Sequence, residues 1–264
     1  MPAVHTHYLV AGKTYTLLPQ RLKEKIRPYL VPYFFGAQGA DFCFFYKPLN
    51  TRLQNFGSYL HRKGGYAAFR VMKAFSANDD LLSAYALGYV THYAADTTFH
   101  PYVYFTGGKS PLRHTKIENA IDVYLRERHS ALEERFSSYY KTPTKTAQNE
   151  LYLLFAAIAS GTPFAPLSKP AFLNAISAFG GYPNLSSALF TTKNERMIST
   201  AVNAQRRVWY YPEAPHIQSD ENADGLFDKS VALSLSLIRE FLYAAQTRKP
   251  LLYSKFGKNY LSGI

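Results

Sequence analysis

Cysteine is almost missing from this 264-residue chain: Cys43 stands alone. No intrachain disulfide can form, and no zinc site built from several thiolates is available. Long apolar runs are lacking as well. The uncharged stretch Leu151 to Ser168 contains Gly161, Pro163 and Pro166, which would break a spanning helix. The first ten residues show no basic segment followed by an apolar one, so no secretory signal is read. These absences together imply a cytoplasmic protein without a disulfide partner, able at most to touch a membrane peripherally. Neither a P-loop nor a G-x-G-x-x-G fingerprint occurs, and no alternating strand pattern is sustained. Acidic residues are few: 18 Asp and Glu face 30 Lys and Arg, for a net charge of +12.

What is present is apolar and aromatic. Hydrophobic residues make up 47% and aromatics 16%, too much for a disordered chain and enough for one core. The basic excess is 19 against 11 in residues 1–150 and 11 against 7 in residues 151–264. Such a surface attracts polyanions, whether nucleic acid, anionic lipid or phosphorylated small molecules, unless it is merely solvated.

Most segments read as helix. Asp80 to His100 is a long run of apolar and small residues that Pro101 is expected to stop, with Asn78 or Asp79 as its cap. Ile117, Ile121, Tyr124 and Leu125 mark one face of a helix expected from about Arg113 to Arg135. Thr14 to Pro28 and Asn55 to Phe75 are helical in pattern, with Gly64-Gly65 disturbing the second. After the turn-prone Tyr139 to Asn149, further helices are expected at Glu150–Ser160, Pro170–Phe179, Lys193–Val208 and Asp228–Gln246. Trp209 to Pro212 and Asp220 to Asp228 read as a covering loop or as a helix entrance with its cap. The expected fold is all-α, a multi-helix bundle in one domain over 1–264. Its 1–135 half carries the chemistry and 150–264 completes the bundle.

Five of eight histidines fall between His61 and His129. In His92-x₃-Asp96-x₃-His100 the spacing of four puts two imidazoles and a carboxylate on one helix face. His114-x₃-Glu118-x₃-Asp122 repeats the device. One such triplet can be a surface pair; two among small and aromatic residues point inward, as in metal sites of helical bundles. Burying three carboxylates without cations costs several kcal/mol each, and a divalent metal compensates for it. Asp41 lies in a neutral aromatic stretch, as a helix cap, ligand or base. His61 ends an apolar turn, and His7 precedes a hydrophobic run. Asp122 reads equally as a partner orienting His114 or His100 and as a solvated residue; His129 and His216 read as surface residues.

Taken in order, T-H-Y-L, G-A-Q-G-A-D-F, a lone His, A-L-G-Y-V-T-H-Y-A-A-D-T-T-F-H-P-Y and H-T-K-I-E resemble the bacterial zinc-dependent phospholipase C family. That family shares an all-helical, trinuclear-zinc architecture with certain single-strand nucleases. The resemblance is dense from about His5 to Asp122. It implies two or three zinc ions: one on Asp41, His61 and His92, a second on His7 with Asp96 bridging, a third on His100, His114 and Glu118. It also implies that Asp41 holds or deprotonates the nucleophile in phosphodiester hydrolysis, most naturally in a phospholipid head group. The family's chain terminus ligates metal too; here only six residues precede His7, and the expectation is that His5 or the terminus left after Met1 removal substitutes, or that this site is weak or empty. The Asp96-to-His100 spacing is shorter than in the secreted enzymes.

Aromatic faces suit a quaternary ammonium group. Phe42, Phe44, Phe45 and Tyr46, with Tyr102, Tyr104 and Phe105, are the rings available to wall a cleft, although most such rings serve a core. Phe42 stands where the family has a tyrosine, which leaves choline preference open. Two other functions fit the same residues. One is a nuclease or nucleotidase on the same frame, with bases stacked on aromatics. The other is a non-catalytic basic module that binds membranes or a partner around a structural zinc.

Overall fold

The computed structural model describes residues 4–46, 51–180 and 195–264. It is 74% helix. Among the described residues up to 180, ten helices follow one another: α1 (Val4–Leu17), α2 (Gln20–Ile26), α3 (Leu30–Gly36), α4 (Arg52–Tyr59), α5 (Gly65–Ser76), α6 (Asp80–Gly107), α7 (Pro111–Arg128), α8 (Ser130–Phe136), α9 (Lys145–Ser160) and α10 (Lys169–Gly180). Helices at Glu195–Ala201, Ala223–Thr247 and Tyr253–Phe256 come later. The helix expected over Lys193–Val208 lies partly outside the described residues, and its described part ends at Ala201.

α6 is the axis of the bundle. Asp79 caps it, its side chain accepting from the Leu82 N–H at 2.9 Å. Residues on all sides of α6 are buried, as befits a helix wrapped by neighbours. Small residues make this possible. A Cβ on Gly88 would sit 1.9 Å from the Tyr33 carbonyl oxygen, and one on Gly36 would sit 2.2 Å from that of Tyr85. α3 and α6 therefore cross with their backbones in contact, which only glycine allows.

Pro101 does not stop this helix. α6 continues to Gly107, where Gly108 at φ 61° ends it. Proline removes the hydrogen bond to the Thr97 carbonyl. That carbonyl is met by Gly263, whose φ of 73° and missing Cβ let the C-terminal segment press against Thr97 and Pro101. The helix expected from Arg113 to Arg135 is broken into α7 and α8 at His129. The His129 ring is half-buried, stacked on Phe227 at 4.2 Å, and is thus no surface residue; His216 is exposed.

The amino-terminal helix begins earlier than the sequence pattern suggested, at Val4, so His7 sits in its first turns. Trp209–Tyr211 and Ala214–Ser219 pair as an antiparallel hairpin, the one departure from helix among the described residues. Trp209 is buried against Tyr102, ring centres 5.4 Å apart, and donates to the Glu221 carbonyl at 3.1 Å. This segment anchors to α6 rather than covering a cleft. Asn222 caps the helix that follows, accepting from Gly225 N–H at 3.0 Å. No described helix is long and apolar enough to cross a membrane.

Candidate metal centre

All eight side chains singled out above lie at one place, where α1, the Asp41–Phe45 turn, the α4–α5 junction, α6 and α7 converge. Seven of them are at most 7% exposed, and His114 is half-buried at the rim. His7 comes from the first turns of α1, and His92, Asp96 and His100 line one face of α6. Asp41 opens a short 3₁₀ turn, and Glu118 and His114 come from α7. His61 sits in a π-helical turn, Leu60–Gly64, that joins α4 to α5. Such bulges recur at functional sites because they rotate a side chain out of helical register.

The donor atoms form three groups, each within 4.8 Å: His7 with Asp41 and His92, His61 with His92 and Asp96, and His100 with His114 and Glu118. Asp96 links them. Its Oδ1 is 3.3 Å from His7 Nε2 and 3.5 Å from His100 Nδ1, while its Oδ2 is 3.3 Å from His92 Nε2. Asp41 Oδ1 is 3.0 Å from His61 Nε2. Glu118 Oε1 lies 2.9 Å from His114 Nε2 and 3.3 Å from His100 Nε2. His61 and His92 turn their Nε2 atoms towards each other at 3.3 Å.

Backbone groups orient two of the rings. His61 Nδ1 is 2.8 Å from the Gly57 carbonyl, and His100 Nδ1 is 3.2 Å from that of Tyr260. A carbonyl only accepts, so each Nδ1 carries the proton and each Nε2 is the atom offered to the centre. Gly39, at φ 56°, packs under His92: a Cβ there would lie 2.1 Å from the ring. Tyr260 contacts His61 and His92 with its ring, at 5.3 and 6.0 Å between centres. Gly65 makes room for that tyrosine, since its Cβ would meet the Tyr260 ring at 2.5 Å. Sequence reasoning missed Tyr260 entirely. It lies some 160 residues from the helix it braces and carries no spacing signal.

The electrostatics call for positive charge. Burial alone would lower the His100 imidazole, yet Asp96 and Glu118 outweigh it and raise its pKa to about 9. His7 and His61 are raised in the same way, against burial, by Asp96 and Asp41. Burial favours the protonated carboxyl of Glu118, but hydrogen bonds from His100 and His114 hold its pKa at about 2. Asp96 is likewise drawn well below the carboxylate range by His92, His100 and His7 despite its burial. His92 is the exception: burial dominates and lowers it to about 4. It is a neutral imidazole, the form that binds metal.

The donor set fits divalent zinc. Asp41 Oδ2, Asp96 Oδ2, His7 Nδ1 and His92 Nδ1 are buried without a hydrogen-bond partner, although buried polar atoms are nearly always satisfied. A void of about 20 Å³ lies among His7, Asp96, His100 and Glu118, room for a single small particle. Imidazole nitrogen and carboxylate oxygen are the ligands zinc takes in the absence of thiolates.

Two expectations are corrected. Asp122 neither orients a histidine of the centre nor meets solvent. It is buried on α7 and caps the first turn of α1. Asp122 Oδ2 accepts from His5 N–H at 3.0 Å, and Oδ1 accepts from Thr6 N–H and Oγ1 at 2.7 and 2.6 Å. Burial raises its pKa in spite of these bonds and the nearby His5. His5 does not join the centre. Its Nδ1 is 3.0 Å from Glu133 on α8, and the chain terminus lies outside the described residues. The aromatic residues are sorted too. Phe42 is wholly buried against Phe155 and Phe172, and Tyr102 and Phe105 face the hairpin. Phe45 and Tyr46 pack on the core, so only Phe44 and Tyr104 reach the cleft above the donors.

A helical scaffold that converges three buried groups of imidazoles and carboxylates defines a protein with a multinuclear metal site. The sequence profile of the zinc dependent phospholipase C family matches residues 6–160, more than half of the chain, which therefore belongs to that family. It is a zinc-dependent hydrolase of the phospholipase C type, and a phospholipid is the substrate the family implies. Neither curated proteins nor solved structures gave a match.

Proposed function

We propose that His7, Asp41, His61, His92, Asp96, His100, His114 and Glu118 hold two or three zinc ions, and that the centre hydrolyses the head-group phosphodiester of a phospholipid. The observation that carries this is the convergence of three buried donor groups beneath an open cleft of about 720 Å³ lined by Asp41, His61, His100, His114 and Glu118. Bound zinc supplies positive charge for the phosphate oxygens and acidifies water towards neutrality. The chain's own part is orientation and proton handling. Asp41 fixes His61 through Oδ1 while Oδ2 is left without a hydrogen bond, so Oδ2 is the atom to align the attacking water and take its proton. The Gly57 and Tyr260 carbonyls keep His61 and His100 in register through that step.

The rim supports contact with an anionic membrane. Leu112, at the start of α7, is 66% exposed and is flanked by exposed Lys109, Arg113 and Lys116. Apolar insertion beside basic side chains suits the surface of an anionic bilayer. The single-domain reading of 1–264 and the cytoplasmic location belong to the same proposal. Nucleic acid is disfavoured as substrate. Among the described residues two aromatic rings line the cleft, and both pack on imidazoles, Phe44 on His61 and Tyr104 on His114, which supports a lipid over stacked bases.

The test is hydrolysis of short-chain phospholipids by zinc-loaded protein. Diacylglycerol release that a chelator abolishes and zinc restores is expected, with His92→Ala at background. Turnover of single-stranded DNA without release of diacylglycerol would overturn the reading.

A further inference from the structure

Resting on the phospholipase reading, we propose that the cleft selects a phospholipid head group that is hydroxylated and carries no cation, and discriminates against choline. Beyond the donors, the charged side chains lining the cleft among the described residues are Arg62 and Lys109, both cationic. Both are exposed at the mouth, and neither is ion-paired to a carboxylate among the described residues. Arg62 is close enough to Tyr104 to act on its hydroxyl. Glu213 also lies within electrostatic reach of that tyrosine, but it does not line the cleft.

A quaternary ammonium binds over open aromatic faces and is repelled by a neighbouring cation. Phe44 is tilted against His61 at 5.7 Å, and Tyr104 packs on His114 at 4.7 Å and His100 at 6.0 Å. Among the described residues these two rings alone line the cleft, too few for a cage. The Gln54 amide is engaged by the Thr51 N–H and the Tyr46 carbonyl, but on the same wall Asn55 and Ser58 offer an amide and a hydroxyl. These donate to and accept from hydroxyl groups, and the two cations favour a substrate of net negative charge. Phosphatidylglycerol has this chemistry; phosphatidylcholine bears the charge the mouth repels.

The experiment compares dihexanoyl phosphatidylglycerol with dihexanoyl phosphatidylcholine below their micellar concentrations. No bilayer then forms to concentrate the basic protein on one substrate. Zinc-loaded protein is expected to favour the glycerol lipid in kcat/KM, and the preference should shrink as salt is raised. Each exposed charge removed is worth about threefold, so Arg62→Gln with Lys109→Gln should lower the ratio roughly tenfold. Lys63→Gln, outside the cleft, should leave the ratio unchanged. A choline preference in wild type, or a ratio unmoved by the double variant, overturns this inference alone. Hydrolysis of neither lipid overturns the phospholipase reading beneath it.

Discussion

His92 is the most enclosed residue of the centre, with no exposed surface, and its position is set by a glycine with left-handed backbone on the neighbouring turn. Gly39→Ala combines two costs: a left-handed alanine, about 1–2 kcal/mol, and a Cβ 2.1 Å from the imidazole. Zinc binding should fall roughly 10–100-fold, the usual effect of disturbing a ligand's support, as read by competition with a chromogenic chelator. Protonation gives a second expectation. In metal-free protein His100 titrates near 9, against about 6.5 for an unfolded imidazole, so its contribution is complete below 6.5 and vanishes as the pH rises through 9. Glu118, held at about 2, contributes above its ordinary range and fails only as the pH falls towards 2. Thermal melts of chelated protein should therefore drop between pH 6.5 and 9, whereas zinc-loaded protein should not, because the metal replaces those protons. The i, i+4 spacing made His92, Asp96, His100, His114 and Glu118 legible in the sequence. His7, Asp41 and His61 carry no such pattern; a family resemblance, not periodicity, singled them out as ligands.

Secondary-structure elements meet here through groups that sequence spacing does not reveal. Asp122 sits one turn after Glu118 and looks like a third member of that row, yet it serves another helix. A carboxylate at a helix N-terminus satisfies orphan N–H groups and opposes the helix dipole. Asp122→Ala would leave the His5 and Thr6 N–H groups buried and unpaired, a loss of about 2–3 kcal/mol. Chemical denaturation should show it, together with weaker zinc retention, because His7 rides on the turn being capped. Most helices could be read from composition and apolar pattern, and the Asp79 cap of α6 from its side chain; most other helix ends could not. Pro101 was a reasonable stop, overridden because the C-terminal segment packs at the gap it opens. The break at His129 and the Trp209 hairpin depend on contacts with Phe227 and Tyr102 far along the chain.

Across the whole molecule, the second half of the chain bears on the centre from behind. The segment after Phe256 has Tyr260 N–H donating to the His61 carbonyl at 3.0 Å and the Tyr260 carbonyl holding His100. Both ends of the sequence thus converge on α6, although the informative motifs all lie before residue 122. The basic charge and the helical character were legible in composition and pattern, but only the assembled bundle shows which charges face the cleft. The account stands on zinc in that bundle, and elemental analysis of purified wild type and Asp96→Asn tests it most directly. Two to three zinc ions per chain are expected for wild type, as three donor groups imply, and at least one fewer for the variant, since Asp96 links the groups. Less than one zinc in wild type expressed with ample zinc, or the same content in both proteins, would contradict it.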